Sequence, residues 1–265
     1  MRSRWISRRS EPDMTTVFGL AAYNEEASID RLFARIAALQ STLGPQVLVV
    51  YNDGSRDNTR GKVQQWTDRF DIRYLEGEAN KGLAFGIAQI VDYFVENFTD
   101  SDYLVLMDCD DTHDPDQVRE MLLKADGQTV VIASRYQPGS EISGLSGFRK
   151  LASVVFSTLG RTYFRLSGVR DYTSGYRMYP HSILVQVREQ GLWPTDREFG
   201  FAVTPELLIR CGAAGATFEE VPMILGYDRK ESASNMRVAH NAVNLVKLLP
   251  KWHHMLKRAP VTKDE

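Results

Sequence analysis

Two carboxylates, Asp108 and Asp110, stand two residues apart directly after the apolar run Tyr103–Met107. Carboxylates leaving a buried strand in this way can converge on one hard cation, which prefers carboxylate, phosphate and water oxygens. Mg2+ or Mn2+ held there can bridge a diphosphate and neutralise it as it departs. Spacing alone better describes an acidic surface turn; with the apolar strand before it, a metal site and a surface turn stand as equal readings. Cys109, between the two, is expected to be a small packed residue, because thiolate prefers softer metals. His113 is expected at the start of a surface helix. Asp53 lies in Asn52-Asp53-Gly54-Ser55, a sequence of turn formers.

These residues need a frame, and periodicity supplies one. Thr16–Ala22, Val47–Tyr51, Ile72–Leu75, Tyr103–Met107 and Val130–Ala133 have the composition of strands. Between them, Glu25–Leu39, Asn58–Phe70, Leu83–Phe98 and Pro115–Lys124 have helical character. In the first of these, Ile29, Leu32, Phe33, Ile36 and Leu39 share one face. Strands alternating with helices imply an α/β fold with a mostly parallel sheet covered on both sides. Ligands of such sheets bind beyond the carboxyl ends of the strands, where Asp53 and Asp108 both fall. Further on, Gly144–Leu166 and Pro205–Gly212 are expected helices and Ala216–Pro222 a strand. Asp171–Tyr179 is a polar segment leading to a short element.

The last stretch, Arg237–Leu256, sets Val238, Ala242, Leu245, Leu249, Trp252 and Leu256 on one stripe amid Lys247, Lys251, His253, His254, Lys257 and Arg258. Such a helix either lies on an anionic membrane or packs on the core, kinked by Pro250 in both cases.

Of 265 residues, 43% are hydrophobic and 25% charged, which excludes a disordered chain, a collagen-like fibre and a disulfide miniprotein. A formal net charge of −2 gives no global positive field, so no nucleic-acid partner is expected. Cys109 and Cys211 are far apart and expected as free thiols in a reducing, cytoplasmic setting. No apolar run reaches the ~18 residues of a membrane span. Met1–Arg9 lacks the apolar stretch of a signal peptide. The expected organisation is a disordered basic tail over 1–13, one domain over 14–236, and a C-terminal amphipathic helix and tail over 237–265.

Several fragments then combine: Ala21-Ala22-Tyr23-Asn24-Glu25-Glu26, Tyr51-Asn52-Asp53-Gly54-Ser55-Arg56-Asp57-Asn58-Thr59, Asn80-Lys81-Gly82-Leu83-Ala84 and Asp108-Cys109-Asp110. In this order they resemble glycosyltransferase family 2. Ala133-Ser134-Arg135-Tyr136, Arg149, Asp171-Tyr172-Thr173-Ser174-Gly175-Tyr176-Arg177, Glu220-Val221-Pro222 and Arg229 narrow the resemblance to its dolichol-phosphate mannosyltransferase-like members. It covers roughly residues 16–237 and implies the GT-A fold, a Rossmann-like single domain of nucleotide-diphospho-sugar transferases.

By this resemblance, Ala21, Tyr23 and Glu25 contact the nucleotide. Asp53 accepts a hydrogen bond from the base, with Tyr51 and Lys81 in the same donor-binding set. Asp108 and Asp110 hold the metal and the donor diphosphate, and Thr112 takes the third metal-site position. Arg135, Arg149 and Arg229 surround the acceptor and donor phosphates, a task for which the guanidinium fork is suited. The chain departs from the pattern where Ala21 replaces the usual Pro and Asn52 a second Asp. The C-terminal R-x-x-G-x-S-K stretch carries Ser232 for Gly and Asn235 for Lys. These last changes weaken the acceptor assignment more than the donor site.

The implied reaction is metal-dependent, inverting transfer of a sugar, mannose first, from GDP-mannose or a UDP-sugar to a polyprenyl phosphate. That acceptor is already an anion, so arginines need only position it. It would bring peripheral contact with the cytoplasmic membrane face. The alternatives are a hydroxyl acceptor and a non-catalytic nucleotide-sugar-binding protein. A hydroxyl needs a carboxylate base, for which Asp171, Asp196 and Glu198 are candidates. A nucleotidyltransferase would carry a Gly- and Arg-rich first loop, which Ala21–Glu25 is not. Glu219 and Glu220 are expected as strand-edge charges, and Trp193 and Trp252 as packing residues.

Overall fold

Apolar strands alternate with one-sided helices, and the computed structural model shows what they build. It describes residues 14–144, 147–190, 202–229 and 248–256, with the side chains of 148–150 and 229 excepted. In chain order the elements are β1 (Thr16–Ala22), α1 (Ile29–Ala37), α2 (Gln40–Leu43), β2 (Gln46–Asn52), α3 (Thr59–Gln64), β3 (Asp71–Glu76), α4 (Leu83–Asn97), β4 (Tyr103–Asp108) and α5 (Val118–Leu122). Then come β5 (Thr129–Ser134), β6 (Glu141–Ser143), α6 (Gly147–Phe164), β7 (Arg177–Pro180), α7 (His181–Glu189), α8 (Val203–Ala213), β8 (Thr217–Pro222) and β9 (Ile224–Gly226).

Seven strands form one sheet in the order β3-β2-β1-β4-β7-β5-β8, and β6 pairs with β9 beside it. The pairs β3–β2, β2–β1, β1–β4 and β5–β8 are parallel. β7 enters antiparallel between β4 and β5. The expected mostly parallel α/β sheet is therefore correct, and the polar segment before Tyr179 delivers its one reversed strand. Periodicity does not single out α7: its buried side chains are only Ile183, Leu184 and Val187, with His181 beside them.

Side-chain alternation along the strands divides the core in two. Val17, Val49, Leu104 and Leu106 meet Ile90, Val91 and Phe94 of α4 on one face. Phe18, Leu20, Leu48, Val50, Val105 and Met107 meet Ile29, Leu32, Phe33 and Ile36 of α1 on the other. Interior β2 is buried along its whole length, whereas in edge strand β3 Asp71, Arg73 and Glu76 are exposed and Ile72, Tyr74 and Leu75 are half-buried.

Residues 248–256 are helical, and Leu248 and Trp252 sit in the same core as α4, α7 and α8. Trp252 is 1% exposed. Of the two uses for the Arg237–Leu256 stripe, the described part is packed on the core. The residues from 237 to 247 lie outside the described set, as do 1–13 and Trp193. Among the described residues no helix is long and apolar enough to cross a membrane.

Candidate active site

Parallel register aligns three strand ends. Ala21 of β1 sits beside Tyr51 of β2 on one side and Asp108 of β4 on the other. The loops leaving these ends form one continuous rim.

The first wall of the rim joins residues 22–26 to 52–59. The Asp53 N–H donates to the Ala22 carbonyl at 2.8 Å. Asn24 takes a left-handed backbone (φ 56°), its N–H donates to Ser55 Oγ at 2.9 Å, and its Oδ1 accepts the Arg56 N–H at 2.8 Å. The Glu25 N–H donates to Thr59 Oγ1 at 2.8 Å, and Glu26 accepts the Asn58 N–H at 2.8 Å. Asn52 closes its own turn, accepting from the Ser55 N–H (3.1 Å) and hydroxyl (2.5 Å). Gly54 has φ +68°, and a Cβ there would stand 2.7 Å from the Ala79 backbone, so only glycine fits.

Asp53 reaches forward instead of capping its turn. Its Oδ1 accepts the Lys81 N–H at 2.9 Å and its Oδ2 the Gly82 N–H at 2.7 Å. This carboxylate ties the amino end of α4 to β2, where the helix dipole favours negative charge. Tyr51 is buried beneath the rim: it is 3% exposed, its ring lies 5.9 Å from that of Phe85, and Gly86 and Gly77 leave room for its ring and hydroxyl. Lys81 is exposed, with Nζ 4.6 Å from the Phe85 ring centre. Ala21, Tyr23 and Glu25 are half-buried along the rim.

The second wall is the loop from Asp108 to Asp114. Asp108 is exposed while Asp110 is 5% exposed. Asp110 Oδ1 accepts the Thr112 N–H (3.1 Å) and hydroxyl (2.7 Å), so buried Thr112 braces the second carboxylate. Asp111 points the other way. It is fully buried, has φ 59°, and is held by Arg31 Nε and by Arg35 at 2.7 Å, both from α1. Arg35 also grips Asp114 at 2.8 Å.

His113 is 4% exposed, not on a surface helix. Its Nδ1 accepts the Asp108 N–H at 3.2 Å, and its ring stacks 4.9 Å from that of Tyr176. Burial, reinforced by the charges of Glu25, Asp110 and Asp108, pushes the Cys109 thiol well above its ordinary range. Cys109 is 2% exposed and packs in the core beneath the loop, as its type suggested.

Arg135 is where structure and resemblance part. Its Nε and NH2 donate to Asp171 at 2.8 and 2.6 Å, and NH2 also to Thr173 at 2.6 Å. The Nε and NH2 edge of the guanidinium that the resemblance assigns to a phosphate is engaged by a carboxylate. Burial alone would raise the Asp171 pKa, but the adjoining guanidinium and its hydrogen bonds hold it below the usual carboxylate range. Asp171 is thus a fully buried structural anion and unsuited to be a base. Glu220 is also no strand-edge charge: it is 6% exposed, and Oε1 accepts the N–H groups of Arg170 and Asp171 at 2.6 and 2.7 Å. Glu219 does lie at the edge, paired with Lys124. The side chains of Arg149 and Arg229, and all of Lys230, Ser232, Asn235, Asp196 and Glu198, lie outside the described set.

The chemistry of the donor set fits a hard cation: oxygen ligands at a strand end, one of them open to solvent. Among the described residues no three His, Cys, Asp or Glu side chains are gathered to hold an ion unaided. A cation here would keep positions for diphosphate oxygens and water, as Mg2+ sites on one or two carboxylates do. Sequence reasoning missed Arg31 and Arg35. Their i, i+4 spacing on the polar side of α1, facing one aspartate more than a metal pair needs, was the available signal.

A family model described as Glycosyl transferase family 2 matches residues 18–188. The chain is 25% identical over 242 residues to the dolichol-phosphate mannosyltransferase of Pyrococcus furiosus, spanning 90% of this chain but only 64% of that protein. It is 27% identical over 245 residues to the polyprenol monophosphomannose synthase of Mycolicibacterium smegmatis, covering 86% and 85% of the two chains. With the undecaprenyl-phosphate mannosyltransferase of Micrococcus luteus it shares 26% identity over 249 residues, 90% and 96% of the two chains. Among solved structures, glucosyl-3-phosphoglycerate synthase from Mycobacterium tuberculosis, in complex with Mn2+, UDP-glucose and phosphoglyceric acid, matches with TM-score 0.65 and 19% identity over 91% of this chain and 80% of that one. At such identity the structural likeness speaks for the fold alone.

Proposed function

The chain belongs to glycosyl transferase family 2, and on that premise we propose that it moves a sugar from a nucleoside-diphosphate sugar to a hydroxyl acceptor, assisted by a divalent cation at Asp108 and Asp110. The observation that carries the donor half is the single row formed by Ala21, Tyr51 and Asp108 at the strand ends, with both walls of the rim laced in place. When bound, the cation would screen the donor diphosphate as it leaves. Asp108 and Asp110 would hold it, with Thr112 fixing the orientation of Asp110. The rim of residues 21–26 and 53–59 would receive the nucleoside, and the amino end of α4, fixed by Asp53, would face it.

The acceptor half rests on Arg135. With its guanidinium committed to Asp171, the arginine set suited to a lipid phosphate loses a member. The M. tuberculosis synthase of like fold was solved with phosphoglyceric acid, a hydroxyl compound. A hydroxyl needs a base, and with Asp171 excluded that role passes to Asp196 or Glu198. A polyprenyl phosphate acceptor is the second reading, favoured by the three relatives named for such lipids.

The test is release of nucleoside diphosphate from a panel of GDP- and UDP-sugars, with Mn2+ or Mg2+, offering small hydroxy acids and a short polyprenyl phosphate in parallel. Release stimulated by a hydroxyl compound, lost in Asp110→Ala and in Asp196→Asn or Glu198→Gln, supports the first reading. Stimulation by the lipid phosphate alone replaces it with the second. Absence of donor binding under every condition refutes both.

A further inference from the structure

An extended segment has two hydrogen-bonding edges, and successive residues serve opposite ones. Along Pro222–Gly226 one edge is taken by the chain around β6. Met223 donates its N–H to the Ser134 carbonyl at 3.1 Å and accepts the Glu141 N–H at 2.8 Å, and β9 continues in parallel beside β6. The other edge, set by Pro222, Ile224 and Gly226, faces the loop that carries Asp108 and Asp110. Gly226 donates its N–H to the Thr112 carbonyl at 2.9 Å, and His113 forms a bridge with Leu225.

A side chain completes this second edge. Gln117 closes the helical turn Pro115–Gln117 and is 5% exposed. Its Nε2 donates to the Pro222 carbonyl, and its Oε1 accepts the Ile224 N–H at 2.9 Å. A carbonyl and an N–H two residues apart are what one residue of a neighbouring strand takes in a parallel ladder. The carboxamide therefore stands in for a backbone residue opposite Met223. Its partners lie 105 and 107 residues further along the chain, so the local turn does not call for an amide here. A leucine would fill a buried position without the cost of desolvating one.

The edge ends on the carboxylates. Thr112 is 1% exposed, holds Gly226 at its carbonyl, and directs its own N–H and hydroxyl to Asp110 Oδ1. His113, opposite Leu225, accepts the Asp108 N–H at 3.2 Å. A line of hydrogen bonds thus runs from Gln117 through residues 222–226 to Thr112 and Asp110.

We propose that Gln117 is a positioning residue for the divalent cation: by clamping 222–226 against the loop it fixes Thr112, and through Thr112 the orientation of Asp110. This rests on the reading of Asp108 and Asp110 as metal ligands and adds to it a residue that acts only through Thr112. Groups directly behind a metal ligand are worth about 10–100-fold in affinity. Gln117 stands one step further back, so the expected effect is at the lower end, about tenfold.

The test compares the full chain with Gln117→Met, which keeps the length of the side chain and loses both hydrogen bonds. Amide hydrogen exchange without metal should quicken at Ile224, Gly226 and Thr112 and remain as in the wild type along β1 and β2. Mn2+ binding, read from the paramagnetic resonance signal of the free ion with UDP or GDP present, should weaken by about tenfold. Gln117→Leu fills the same buried space and should behave alike. Gly160→Ala, destabilised on α6, should bind Mn2+ as the wild type does, which separates lost positioning from lost stability. Exchange that quickens at Ile224 alone overturns the proposal. So does Mn2+ affinity within about twofold of the wild type in the Gln117 variants, or an equal loss of affinity in Gly160→Ala. A wild type that binds no Mn2+ with either nucleotide refutes the metal-site reading itself, and this proposal with it; a wild type that binds while the Gln117 variants bind equally well refutes this proposal alone.

Discussion

Replacing Arg135 by alanine distinguishes a structural ion pair from a phosphate clamp. The substitution strands Asp171, which is fully buried, while Arg135 itself has 15% of its side chain exposed. Removing one partner of a buried pair typically costs about 3–5 kcal/mol, because the remaining charge loses its compensation. Here Asp171 would keep the backbone N–H groups of residue 135 (3.0 Å), Thr173 (3.1 Å) and Ser174 (3.0 Å), which places the cost near the lower end, about 3 kcal/mol. For a chain of this size that corresponds to a melting temperature lower by roughly 6–12 °C.

The pH dependence carries a sign. The folded-state pKa of Asp171 is depressed, so its pair contributes stability above the unfolded carboxylate value of about 3.9 and loses it as pH falls through the folded value. The deficit of Arg135→Ala should therefore be full at neutral pH and shrink below about pH 4. Calorimetry or denaturant unfolding across that range measures it, alongside donor turnover well below the melting point. Arg135→Lys should recover part of the stability, since it restores charge without the fork. An Arg135→Ala protein that melts within about 2 °C of the wild type yet has lost turnover would refute the reasoning, for the guanidinium would then be spent on substrate.

Three further outcomes follow from the same geometry. Arg35→Ala removes contacts of 2.7 and 2.8 Å to Asp111 and Asp114, so the half-saturating metal concentration should rise while turnover at saturating metal recovers; equal loss at all metal concentrations would contradict a positioning role. Gly160→Ala forces a methyl into the Tyr172 ring and should destabilise by about 1–3 kcal/mol, read as a lower denaturation midpoint. Both buried cysteines should resist thiol-labelling reagents in the native protein at pH 8, since burial raises the Cys109 pKa well above its ordinary value and that of Cys211 to about 12; rapid native labelling of Cys109 would show that the site loop opens.

The alternating strands and helices of the first half were legible because each is a local pattern: a run of β-branched residues, or apolar positions three and four apart. The place of Asp53 and Asp108 at strand ends followed from the same patterns, since a parallel sheet puts its strand ends on one edge. What the tertiary structure decided was partnership. Asp108, Asp110 and Asp111 are alike in sequence, yet only Asp111 is turned by a left-handed backbone onto Arg31 and Arg35. Arg135 and Asp171 are 36 residues apart and become one ion pair only because β5 and the chain leading into β7 come together. β7 itself, four residues with no period of its own, becomes a strand because β4 and β5 each offer it an unpaired edge. A charge in a sequence advertises its sign and reach, but not which opposite charge the fold will bring within 3 Å, and that choice separates a residue that grips substrate from one that holds the protein together.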